Sequence, residues 1–108
     1  MNDTIIPLRV DIPNSWLNGR AEDYFVITVS RPDYVPCFAE GDFVLVDRRT
    51  DKPNLGGLYL VEIDNRLEFR IIYDNDPFTL HGVTPYIPPL ADVEYSIIGI
   101  PRKIIRNI

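Results

Sequence analysis

A chain of 108 residues has room for one domain with one core, and a hydrophobic content of 45% belongs to a globular protein rather than a disordered one. With 16 acidic against 11 basic residues the net charge is −5, which sets the surface against phosphate backbones and so against direct nucleic-acid binding. The single cysteine, Cys37, excludes an internal disulfide, and with His81 it makes too small a set of soft ligands for zinc, so no metal or cofactor is expected.

Ten prolines, from Pro7 to Pro101, leave little room for long helices. No apolar run approaches the ~20 residues of a membrane helix. The opening Met-Asn-Asp-Thr lacks the basic-then-apolar pattern of a secretion signal, so a cytoplasmic setting is expected. Runs rich in Val, Ile, Phe and Tyr predict strands over Ile5–Val10, Tyr24–Ser30, Phe43–Arg48, Leu58–Asp64, Leu67–Tyr73, Phe78–Leu80 and Tyr95–Ile105. Asn14–Asn18 reads as a short helical turn that packs Trp16 and Leu17 on the core. In Glu40-Gly41-Asp42, Gly41 can supply a positive φ before a strand. Asp64-Asn65-Arg66 reads as a tight hairpin, with Asn65 in the left-handed conformation. Three prolines in Pro85–Pro89 predict an extended surface loop. The expectation is a mostly β, sheet-rich single domain with a hairpin and at most a short helical turn; residues 1–22 lead in and 23–108 form the core. The basic residues near the end, Arg102, Lys103 and Arg106, read as a solvated strand edge.

The stretch from Phe25 to Asp47, F-V-I-T-V-S-R-P-D-Y-V-P-C-F-A-E-G-D-F-V-L-V-D, resembles the LexA/UmuD-like, signal-peptidase-like self-cleaving domains of bacterial and phage repressors. That family shows a strand, then V-x-G-x-S-M-x-P, then G-D, then a strand ending V-x-V. Val29, Pro36, Gly41, Asp42, Val44 and Val46 fall at the matching positions. Further blocks are similar in the same order: Gly56–Val61, Leu67–Ile72 (L-E-F-R-I-I), Leu80–Pro85 (L-H-G-V-T-P) and Ile97–Arg106 (I-I-G-I-P-R-K-I-I-R). The resemblance spans roughly residues 24–106.

The departures fall on the chemistry. The resemblance puts the family's serine nucleophile on Asp33, the following methionine on Tyr34, the loop glycine on Arg31 and the lysine base on Arg70. Such a dyad needs a hydroxyl beside a base that can lose its proton. Burial can make a lysine neutral, but a guanidinium stays protonated, and Asp33 offers a carboxylate in place of a hydroxyl. Moving Ser30 into the nucleophile position would break the Pro36 and Gly41-Asp42 matches. The expectation is therefore a pseudo-peptidase, with residual self-cleavage a distant third reading and with Asp33 and Arg70 joined in a direct ion pair.

The resemblance implies self-cleavage and self-association for such a domain. With the first excluded, a homodimer is expected that serves a repressor, whose DNA-binding domain lies in the same longer chain or in a partner. The closing strand, apolar without clean alternation, is the expected contact through Ile97, Ile98, Ile100 and Ile104. The alternative is a stand-alone, antirepressor-like module that holds a partner's peptide without cutting it.

Overall fold

The apolar runs become strands of one antiparallel sheet. The computed structural model describes residues 15, 17, 19–34, 37–50 and 57–105, with the backbone alone of residues 5–6. The strands are β1 (Ile5–Ile6), β2 (Tyr24–Thr28), β3 (Phe43–Asp47), β4 (Leu58–Ile63), β5 (Arg66–Tyr73), β6 (Asp76–Gly82), β7 (Leu90–Ala91) and β8 (Ser96–Ile105). Their order across the sheet is β1-β2-β3-β8-β4-β5-β6-β7, every neighbour antiparallel.

β2 and β3 read as near-continuous apolar runs because both of their faces are covered. Phe25, Ile27, Val44 and Val46 join the main core with Leu60, Phe69 and Ile87, while Tyr24, Val26 and Leu45 pack on the opposite face with Leu17. β4 and β5 divide their side chains in the same way, Leu60 and Phe69 to the main core, Val61 and Ile63 to a cluster with Ile72 and Leu80. The main core thus takes residues from both halves of the sheet, which bends along β8. The β8 ladder skips Ile98 opposite β4 and Arg102 opposite β3, and such bulges bend and twist a strand. Pro101 sits beside the second bulge, which is how a central strand tolerates a proline. At the bend, a Cβ on Gly99 would come 2.7 Å from the Asp47 carbonyl oxygen, so only glycine fits.

The β4–β5 hairpin closes at Ile63 and Arg66 through Asp64 (φ 51°) and Asn65 (φ 62°). Both central residues are left-handed, the type I′ geometry that matches strand twist. β6 is longer than its apolar stretch, and the short β7 carries no sequence signal of its own. The expectation for Pro85–Pro89 is corrected: a turn forms there, Ile87 N–H donating to the Thr84 carbonyl at 3.2 Å, and Ile87 is buried in the main core. Single 3-10 turns occupy Ala21–Asp23 and Pro32–Tyr34. Most of the turn expected at Asn14–Asn18, including Trp16, lies outside the described residues, as do Pro36, Gly56 and Arg106.

Candidate functional site

The register of β5 decides what meets there. Its two-residue turn makes Arg66, Glu68 and Arg70 bond to β4, so the backbone groups of Leu67, Phe69 and Ile71 point the other way, towards β6. β6 pairs with β5 only as far as Gly82 opposite Arg70. The Phe69 N–H lies beyond that point and donates instead to the Tyr34 hydroxyl at 3.1 Å. The Tyr34 ring is fully buried edge-on against Phe69 and Phe38, with centroids 5.7 and 6.0 Å away. Thr84 Oγ1 adds a hydrogen bond to the Asp33 carbonyl at 2.9 Å. The Pro32–Tyr34 turn is thereby fixed between β5 and the segment after β6.

This arrangement brings five charged side chains into one chain of contacts. Arg31 grips Asp33 with two donors, Nε to Oδ1 at 2.9 Å and Nη2 to Oδ2 at 2.6 Å. Its Nη1 donates to Glu68 Oε1 at 2.9 Å, and the guanidinium lies 4.9 Å from the centre of the Tyr34 ring. Glu68 Oε1 also accepts from Arg70 Nη2 at 2.9 Å, and Arg66 approaches Glu68 Oε2 at 3.7 Å. Arg70 Nη1 donates to the carbonyls of Pro88 at 2.8 Å and Leu80 at 3.3 Å, while its Nε has no partner among the described residues. Glu68 and Arg70 are only 5% and 4% exposed. The hydrogen bonds from Arg31 hold the Asp33 carboxyl below the usual carboxylate range, and the same contacts push Arg31 further up.

The two positions matched to the family's dyad therefore share a site, but the direct Asp33–Arg70 pair expected from the sequence does not form. Arg31 takes the Asp33 carboxylate and Glu68 takes Arg70. In both cases the chosen partner stands two residues away along the chain. On a strand that spacing puts Glu68 and Arg70 on one face, the signal that could have identified Glu68 within L-E-F-R-I-I. Chemically the network is guanidinium and carboxylate throughout, and Arg70 cannot give up a proton.

Gly41 and Asp42 shape the entry to β3. Gly41 has φ 92° and donates its N–H to the Val29 carbonyl at 2.8 Å, and the buried Asp42 carboxylate accepts from the Ala39 N–H at 2.9 Å. On β8 the side chains divide. Ile97 and Ile104 are 40% and 37% exposed and Ile98 packs partly against the main core, whereas Ile100 is 1% exposed. Ile100 is thus corrected from a contact residue to an interior one. β8 is paired on both sides, so it offers faces and no free edge. Arg102 is not simply solvated: it approaches the buried Asp47 carboxylate at 3.5 Å, beside the closer Arg49 at 2.9 Å. Cys37 is exposed, and the His81 ring packs against Tyr73 with centroids 4.9 Å apart and the planes tilted by 58°. Among the described residues no His, Cys, Asp and Glu group is arranged to hold a metal, and no helix is long and apolar enough to cross a membrane. No family model matches the chain, and no curated protein matches it.

Proposed function

We propose that this chain is a non-catalytic, LexA-like association domain of a bacterial or phage transcriptional repressor, acting in the cytoplasm. The observation that carries the proposal is the meeting of the two dyad-matched positions, Asp33 and Arg70, in one partly buried network whose bridging side chains are guanidiniums and carboxylates. A turn pinned to β5 by Tyr34 supports the resemblance, since a working dyad needs that turn and that strand together. Arg31 and Glu68 now bridge the two elements where a serine and a lysine would have met. The net charge of −5 favours a role in joining subunits, with DNA contacts left to another domain of a longer chain or to a repressor partner.

Sedimentation equilibrium tests the association. The domain should dimerise at micromolar concentration, and Ile97→Asp with Ile104→Asp should give folded monomer, because both side chains are partly exposed. Ile100→Asp should unfold the protein instead. A monomer at high micromolar concentration overturns the association. Incubation in alkali should yield no fragments, and fragments that disappear in Ser30→Ala would overturn the non-catalytic assignment. A second reading, a stand-alone module that binds a partner's peptide, draws support from the open side of β5 at Leu67, beyond the last β6 pair.

A further inference from the structure

Three of the chain's eleven basic side chains, Arg31, Arg66 and Arg70, line one groove of about 370 Å³ together with Leu67, Glu68 and Pro88. Two carboxylates, Asp33 and Glu68, answer these three guanidiniums, so one positive charge is left over in a chain whose net charge is −5. The distribution of donors shows where the surplus lies. Arg31 has three nitrogens engaged by the two carboxylates. Arg70 is fixed in the floor by Glu68 and two carbonyls, with its buried Nε unmatched. Arg66 is half exposed, and its one ion-pair contact among the described residues is the long approach to Glu68 at 3.7 Å, so its fork lines the groove with donors to spare. Beside it, the Leu67 N–H and C=O point to the side of β5 that no described strand covers.

The geometry points to this groove as a binding site for a carboxylate: the Asp or Glu side chain of an extended segment of a partner protein, held by Arg66. A guanidinium fork suits a carboxylate because two parallel N–H donors match its two oxygens. The Leu67 backbone groups on that side of β5 would orient the segment along the strand, so that a side chain of one parity faces the arginines. The inference rests on the peptide-binding reading.

The test is a titration of the isotope-labelled chain, followed by amide NMR signals, with acetyl-Val-Thr-Glu-Val-Thr-amide and its Gln counterpart. The Glu peptide should move the signals of Arg31, Arg66 and Leu67 at about 1 mM, and the Gln peptide should bind about tenfold more weakly. Added salt should weaken the Glu peptide selectively. Arg66→Gln should lose about tenfold in affinity while the core signals of Val44 and Val46 stay in place. Equal binding of the two peptides overturns carboxylate recognition and leaves peptide binding standing. No shift with either peptide overturns both. If inorganic phosphate at matched ionic strength moves the same signals as far, the groove takes a free anion and the segment is refuted. If the shifts appear on concentrating the chain alone, the occupant is a second copy, and the proposed partner segment is refuted.

Discussion

Replacing Glu68 by glutamine removes the negative charge that Arg31, Arg66 and Arg70 share. The fates of the three differ. Arg31 keeps its two-pronged contact with Asp33, and Arg66 is half exposed and can turn to water. Arg70 can do neither: it is buried, and only the carbonyls of Leu80 and Pro88 would remain beside a neutral amide. Breaking a buried pair by removing one partner costs about 3–5 kcal/mol, and the acceptor oxygen kept by glutamine argues for the lower end, about 3 kcal/mol. That is a large share of the roughly 5–15 kcal/mol that holds a domain folded. With a urea slope of about 1–3 kcal/mol/M for a small protein, the unfolding midpoint should fall by about 1–3 M. The assay is urea unfolding followed by far-ultraviolet circular dichroism. Glu68→Leu with Arg70→Met removes both charges and fills the space with apolar atoms, so the double variant should recover most of the loss. A single-variant loss below about 1 kcal/mol, the range of an exposed pair, would refute the reasoning, as would a double variant less stable than the single one.

Double-mutant cycles should find Asp33 coupled more strongly to Arg31 than to Arg70, because only the first pair is in contact; the opposite ranking would restore the direct pair. Asp33 is held low by Arg31, and at Asp47 burial works to raise the carboxyl but the hydrogen bonds from Arg49 outweigh it. Both groups bind protons less readily folded than unfolded, so their contribution is complete above the unfolded value of about 4 and is lost as pH falls through the folded values. Asp47→Asn should flatten the fall in stability measured below about pH 4, and an unchanged slope would sink this assignment. Gly82→Ala should cost about 1–3 kcal/mol in the same urea assay, because its Cβ would collide with the Ile87 carbonyl oxygen and force apart β6 and the turn after it.

The strands were legible in the sequence because a strand needs only a local pattern, apolar and β-branched side chains between turn residues. The hairpin at Asp64-Asn65 was legible for the same reason, since few residue types accept a left-handed backbone. Ile87 was not legible: three prolines mark its neighbourhood as a loop, and only the packing of that loop across Gly82 puts the side chain in the core. The role of Ile100 was hidden likewise, because alternation cannot say which face of β8 is covered once bulges at Ile98 and Arg102 shift its register.

At the site, residue identity alone determined the limit on the chemistry. An arginine at position 70 holds its proton in any surroundings, and an aspartate at position 33 carries no hydroxyl, so neither conclusion waits on coordinates. Which charges meet was a different question, because ion pairs form by distance and many pairings satisfy the same sequence. Arg31 reaches Asp33 along a turn that the Tyr34 hydroxyl fastens to β5, and Glu68 reaches Arg70 along one face of the strand. Each charge was therefore matched by a near neighbour, and the tertiary contact across the site fell to Arg31 and Glu68 at 2.9 Å.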